Sequence, residues 1–269
     1  MLSPELQSTA APAKILFTAL ISLAAIYGIV CAALYFFQDD FLYPAAGSER
    51  QSTPPGWERM ELAVEDAGDV EAFYKEPKAD MGTILFLHGN GGGIADSVFA
   101  TKLYANAGYG ILVPEYPGYW GNPGQPSQKS LGQSAEAGMQ WLESKGLQRS
   151  DVVVMGNSIG TGPAIEVAAK GARQLVTISG MTNLREVVAH RLKIVPTSLL
   201  KDYYQNEIAI AKVDAPVLVV HGVEDDLIPI SHARPLANAS GGDLVVSTGG
   251  HEIAYSQEVQ QAILDRLVN

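Results

Sequence analysis

The stretch that decides the fold is Val152-Val153-Val154-Met155-Gly156-Asn157-Ser158-Ile159-Gly160-Thr161-Gly162. Its apolar half is a buried strand, and its second half sets a hydroxyl between two glycines where that strand ends. One reading is a nucleophile held on a sharp strand-to-helix turn, since glycines let the backbone crowd without side-chain clashes. The other is a flexible turn that happens to contain a serine. Glycine supplies 27 of the 269 residues, so such spacing arises by chance often enough that its weight depends on partners elsewhere in the chain.

Working outward from this strand, short apolar runs predict further strands at 61–64, 70–74, 83–87, 110–113, 175–179, 217–220 and 244–247, with this one spanning 151–155. Helical patterns fall between them at 96–107, 130–145, 160–170, 230–239 and 256–268. Two hairpin-like strands followed by repeated strand–helix units predict an α/β domain over 61–269: a mostly parallel sheet with helices on both faces and an antiparallel edge. The rhythm breaks between Gly180 and Pro216, where apolar and aromatic side chains recur at helical spacing with no strand. Residues 181–214 are therefore expected to form a helical insertion, either a lid or padding over the sheet edge.

Ahead of this domain, Ile15 to Phe37 is a run of 23 residues without a charge, about 35 Å long as a helix and enough to cross a bilayer. A retained anchor, a cleaved signal and a buried helix all fit such a run; its length beyond the roughly 7–15 apolar residues of a signal peptide favours the anchor. Lys14 before the run, against Asp39 and Asp40 after it, favours a cytoplasmic N-terminus and a single-pass protein whose catalytic domain is non-cytoplasmic. Residues 1–14 are expected to be a disordered lead-in, 15–37 the transmembrane anchor, and 38–60 a linker and domain entry.

Composition narrows the function classes. A net charge of −11, with no cluster of Lys and Arg, argues against a nucleic-acid partner, whose phosphates demand clustered cations. Cys31 is the only cysteine, so neither a disulfide framework within the chain nor a cysteine zinc site is available. No His/Glu or His/Asp spacing suggests another metal site, and no cofactor is expected.

In open α/β sheets, catalytic groups gather at the carboxyl ends of the strands. Ser158 follows the strand ending at Met155, Asp225 follows the strand at 217–220, and His251 follows the strand ending at Ser247. These types suit one another. A serine hydroxyl needs a base to become nucleophilic, an imidazole titrates near neutrality, and a carboxylate fixes the imidazole's tautomer. The oxyanion that develops on an attacked carbonyl needs backbone N–H donors: Ile159, just after the serine, supplies one, and Asn90 in His88-Gly89-Asn90-Gly91-Gly92-Gly93 is placed to supply the second. A phosphate-binding loop is the rival for those glycines, but the following Lys-Ser/Thr is missing and the dinucleotide spacing fails. His88 and His221, each before a glycine at a strand end, read as hydrogen-bonded near-core residues, and His190 and His232 as surface residues on helices. Tyr116, Trp120, Tyr203 and Tyr204 are candidates either for an acyl pocket or for the core.

On these residues the chain resembles the α/β-hydrolases, and within them the small membrane-anchored serine hydrolases related to the yeast bud-emergence protein and to anchored ABHD-type proteins of animals. The carriers run from the anchor to the C-terminus: Phe41-Leu42-Tyr43-Pro44, Leu87-His88-Gly89-Asn90-Gly91-Gly92, Glu115-Tyr116-Pro117-Gly118-Tyr119, Gly124-Gln125-Pro126-Ser127 and Gly156-Asn157-Ser158-Ile159-Gly160. Then come Ala215-Pro216 through His221-Gly222-Val223-Glu224-Asp225 with Ile228-Pro229, and Gly250-His251-Glu252. The resemblance assigns the acid to Asp225 over Glu224 and Asp226. It also marks departures: Pro117, Trp120, Gln128 and Ser134 stand where relatives commonly carry other residues, which points those positions toward packing. It implies an α/β-hydrolase fold and a serine hydrolase acting on a small acyl ester or thioester, lipidic or not. A serine peptidase of the aminopeptidase or oligopeptidase type, and a non-catalytic binding scaffold on the same fold, are the alternatives.

Overall fold

In the computed structural model, which describes residues 4–45, 48–50 and 52–267, eight strands form one sheet. They are β1 (Glu58–Val64), β2 (Gly68–Lys75), β3 (Thr83–Leu87), β4 (Gly110–Pro114), β5 (Val152–Asn157), β6 (Gln174–Ile178), β7 (Val217–Gly222) and β8 (Asp243–Ser247), in the order β1-β2-β4-β3-β5-β6-β7-β8. Every pairing from β4 onward is parallel, whereas β1 with β2 and β2 with β4 are antiparallel, which gives the expected edge. The central strands are buried from end to end because both faces are covered.

Side chains alternate across that sheet. Leu85, Leu87, Val152 and Val154 face a core completed by α4 (Gln128–Ser144), α5 (Thr161–Ala168) and α8 (Ala233–Ser240). Ile84, Phe86, Val153 and Met155 face the opposite core, completed by α2 (Ile94–Ala100), α3 (Lys102–Ala107) and α9 (Gln257–Leu264). The period of two is the pleat itself. A third cluster, with Tyr43, Tyr116, Tyr119, Ile159, Met181 and Tyr204, closes the carboxyl end of the sheet.

Three segments differ from the sequence reading. The helix expected over 96–107 begins at Ile94 and breaks at Thr101 into α2 and α3. There the hydroxyls of Ser97 and Thr101 bond back to the carbonyls of Gly93 and Ser97, the local competition that bends helices at such residues. The apolar helix α1 (Pro4–Leu42) overruns the expected anchor at both ends. It takes in most of the segment expected as a disordered lead-in, whose Ala10, Ala11 and Ala13 are strong helix formers that extend a helix already nucleated by the apolar run; residues 1–3 lie outside the described residues. It also absorbs the first part of the expected linker, after which Tyr43 and Ala45 are buried in the domain; residues 46, 47 and 51 lie outside the described residues. The apolar stretch Ala13–Leu42 is 30 residues long and exposed along its spanning window.

The insertion is helical as expected, with α6 (Leu184–Arg191) and α7 (Asn206–Ile210). It packs along α1: Gln38 donates to the Leu199 carbonyl at 3.1 Å and accepts from the Lys201 amide at 2.9 Å, and Lys201 pairs with Asp39 at 2.8 Å. Gln128 holds its other end by accepting from the amides of Tyr203 and Tyr204 at 3.1 and 2.9 Å. That departure from the family pattern therefore ties α4 to the insertion.

Leu85 is fully buried between β4 and β5. Leu85→Ala is expected to destabilise the domain by about 2–5 kcal/mol in urea unfolding, through lost transfer energy and the cavity left behind. Ile208→Ala, at a side chain 62% exposed, is expected to change it by less than about 0.5 kcal/mol.

Candidate active site

The turn after β5 is tight in a way that only glycine permits. A Cβ on Gly160 would lie 2.2 Å from the Leu87 carbonyl oxygen, and one on Gly156 would lie 2.5 Å from the Gly160 oxygen. Between them Ser158 is held at a φ of +54°, the left-handed region that side chains avoid. This conformation reverses the chain directly from β5 into α5 and lifts the serine hydroxyl above the sheet end. Ile159 is the second residue of the helical turn Ser158–Gly160, where the first amides lack intrahelical acceptors.

Asp225 and His251 converge on this hydroxyl from the neighbouring strand ends. The loops after β7 and β8 are laced together, with the Val223 amide on the Ser247 carbonyl at 2.9 Å and the Glu224 amide on the Gly249 carbonyl at 3.0 Å. The amides of Leu227 and Ile228 donate to one Asp225 oxygen at 3.0 and 2.8 Å, which leaves the other facing His251 Nδ1 at 2.8 Å. His251 Nε2 stands 2.8 Å from Ser158 Oγ. Because a carboxylate only accepts, Nδ1 carries the proton toward Asp225 and Nε2 is the acceptor for the serine hydroxyl. Burial pushes the Asp225 carboxyl upward, but hydrogen bonds from His221 and His251 and from the Ile228 amide outweigh it and hold the group well below the usual carboxylate range.

Ser158 and His251 border a cavity of about 470 Å³, whose wall includes Pro44, Gly89 to Gly92, Asp96, Asn157, Leu227, Glu252 and Tyr255, while Asp225 lies behind His251. Asn90 thus lies where the sequence placed it, beside the serine. Its side chain is engaged elsewhere, donating to the Leu42 carbonyl at the end of α1 and accepting from Tyr119. Burial, then the carboxylates of Glu252 and Asp96, push the Tyr255 phenol up to about 12. Asp96 and Glu252 border the cavity on that side.

Other expectations fare differently. His232 is buried, with Nδ1 2.7 Å from the Thr182 hydroxyl, because a short helical turn folds it under the insertion; the surface position expected for it is wrong. None of Tyr116, Trp120, Tyr203 and Tyr204 borders this cavity; Tyr116 and Tyr204 are core residues. No residue of 181–214 borders it either. His221 donates from Nε2 to the Ile228 carbonyl at 2.8 Å, while its buried Nδ1 has no partner among the described residues.

Glu115, the first residue of the segment Glu115-Tyr116-Pro117-Gly118-Tyr119, is fully buried under the glycine loop. One of its oxygens lies 2.7 Å from His88 Nε2 and accepts from the Tyr116 amide at 2.9 Å, and the other accepts from the Ile94 amide at 3.1 Å. His88 Nδ1 meets the Gly89 carbonyl at 2.9 Å. Both ring nitrogens therefore face acceptors, which suits the imidazolium. Burial opposes that charge, but Glu115 and the Gly89 carbonyl outweigh it, and the net direction is upward. Ser134, another departure from the family pattern, donates to the Glu115 carbonyl. A signal was present, in a histidine and an acid at the ends of adjacent strands β3 and β4, but only the register of those strands makes them partners.

No family model matches the chain. Among curated proteins it is 32% identical over 206 residues to an uncharacterized protein of Mycobacterium tuberculosis, covering 74% of this chain and 73% of that one. It is 30% identical to alpha/beta hydrolase domain-containing protein 17B of Homo sapiens, over 70% of this chain and 68% of that protein. Among solved structures, the Pyrococcus furiosus esterase Pf2001 superposes with a TM-score of 0.69 at 16% identity, covering 83% of this chain and 95% of its own. A membrane phospholipase A described as a bacterial virulence factor superposes with a TM-score of 0.61 at 15% identity, covering 94% and 98%.

The buried pair beneath the loop has a pH signature. A histidine whose value is raised on folding stabilises the protein fully below its unfolded value of 6.5, and that contribution is lost as pH climbs through the folded value. Glu115→Gln is accordingly expected to lower the melting temperature most below pH 6.5 and progressively less in alkaline buffer, with about 3–5 kcal/mol lost where His88 is charged.

Proposed function

This chain belongs to the α/β-hydrolase superfamily, and on that premise we propose that it is a serine hydrolase, held at a membrane by α1, that cleaves carboxylic ester or thioester bonds through an acyl-enzyme. The observation that carries the reading is the unbroken chain of hydrogen bonds Ser158 Oγ to His251 Nε2 and His251 Nδ1 to Asp225, both at 2.8 Å. As Ser158 Oγ bonds to the acyl carbon, its proton passes to His251 Nε2, and Asp225 stabilises the resulting imidazolium. The amides of Ile159 and Asn90 receive the oxyanion. Collapse expels the alcohol or thiol, which takes the proton back from His251. A water then repeats the sequence, giving up its proton to His251 and releasing the acid while Ser158 recovers its hydrogen.

A second reading has one observation in its favour. Asp96 and Glu252 both border the cavity, and a pair of carboxylates beside the nucleophile suits a substrate bearing an ammonium group, as an aminopeptidase-type enzyme requires. A panel of acyl esters run beside aminoacyl amides separates the two. The proposal expects turnover of the esters, and turnover of the amides alone would overturn it.

A fluorophosphonate probe is expected to label the protein, and labelling is expected to vanish in Ser158→Ala; silence in the wild type would favour a binding scaffold. Asp225→Asn removes the carboxylate that fixes the tautomer of His251, and kcat is expected to fall by about 10⁴ with the fold retained.

A further inference from the structure

The insertion does not cover Ser158 and instead runs along α1 toward the middle of its apolar stretch. Contacts descend from Asp39 with Lys201, through Gln38 with Leu199, to Tyr27, whose phenol donates to the Ile194 carbonyl at 2.8 Å. From Asp39 to Tyr27 is about 18 Å along a helix axis. The uncharged run Ile15 to Phe37, 23 residues, is little longer than the roughly 20 that a bilayer needs, so as a span it sets Tyr27, and whatever lies against it, within the hydrocarbon.

Four features of the turn at 191–196 fit that position. Leu192 is 47% and Ile194 76% exposed. Part of the turn's backbone is answered from within the protein: the Leu192 amide donates to the Val188 carbonyl, the Val195 amide to the Leu192 carbonyl, and the Tyr27 phenol to the Ile194 carbonyl. Lipid demands such internal satisfaction and water does not. Between α1 and this turn lies a groove of about 280 Å³ lined by side chains such as Leu34, Leu42, Val188, Leu192 and Val195, open rather than filled by the protein. Finally, in a chain of net charge −11, residues 185–201 hold four basic residues (Arg185, Arg191, Lys193, Lys201) and one acid, Glu186. Arg191 and Lys193, which flank Leu192, are exposed and form no ion pair among the described residues. Long cationic side chains beside buried apolar ones reach back to anionic headgroups.

We propose that the turn 191–196 is a second membrane-contact element, seated in the leaflet beside α1, and that the groove between them takes the acyl chain of an anionic glycerophospholipid of that leaflet. The proposal rests on the reading of α1 as a membrane span. It adds a lipid-binding surface next to the catalytic cavity, because Leu42 lines the groove and Pro44, two residues on, lines the cavity.

The test uses the full chain with Cys31→Ser, carrying a single environment-sensitive fluorophore on Ile194→Cys, Leu23→Cys or Ile208→Cys, reconstituted in phosphatidylcholine vesicles with and without phosphatidylglycerol. Quenching by spin-labelled lipid is compared with quenching by aqueous iodide. Lipid quenching is expected at 194 and 23, iodide quenching at 208, and deeper lipid quenching at 194 when phosphatidylglycerol is present. The last increment is expected to disappear in Arg191→Glu/Lys193→Glu. Iodide quenching at 194 with lipid quenching at 23 would overturn the inference and leave the anchor standing; iodide quenching at both would overturn both. Lipid quenching at 194 that ignores phosphatidylglycerol would overturn the choice of an anionic lipid. Circular dichroism checks each labelled protein, and Leu192→Cys replaces Ile194→Cys should that variant unfold.

Discussion

The site depends on one backbone constraint, the left-handed conformation of Ser158 between β5 and α5. A residue with a side chain at that φ is strained, and the strain persists because the surroundings allow no other path. The Gly160 backbone is pressed against the carbonyl of Leu87 at the end of β3, and the Gly156 backbone against Gly160. The two central strands thereby fix the turn, and the turn fixes the hydroxyl. His251 and Asp225 reach it from strand ends that the parallel sheet sets side by side.

Beneath the site lies a charge that the protein keeps out of water. Glu115 gathers the His88 ring and the amides of Tyr116 and Ile94, so that one carboxylate ties the end of β4 to the loop after β3 and to the start of α2. Such a pair is rarely a net source of stability against an apolar replacement. Its physical effect here is positional: the glycine loop, which has few side chains of its own to pack, is pinned from below. From above it is pinned by the bond of Asn90 to Leu42 and Tyr119.

That last contact makes the apolar helix part of the domain rather than a tether. Tyr43 is buried and bonds to Asp202 and to Tyr204, 3.1 Å away, joining the end of α1 to the insertion. Burial, with Tyr204 and Asp202 nearby, pushes the Tyr43 phenol far above its ordinary value, so it stays a neutral donor. The orientation of the cavity relative to the helix is therefore set by packing, not by a flexible linker.

Periodicity and punctuation in the sequence sufficed for the eight strands, their mostly parallel arrangement and the position of Ser158, Asp225 and His251 just beyond strands β5, β7 and β8. These are local properties: an apolar run between turn residues is a strand wherever it ends up, and a glycine marks a tight turn by its own lack of a side chain. What tertiary structure decided was every pairing between distant residues. His232 is a surface residue by helical context and a buried one by the fold of the insertion over it; Glu115 is an acid without an assigned partner until the register of β3 and β4 brings His88 to it. The insertion reads in one dimension as a lid or as padding over the sheet edge, and its packing along α1 rests on hydrogen bonds to Gln38 and Tyr27, long-range contacts that no local pattern encodes.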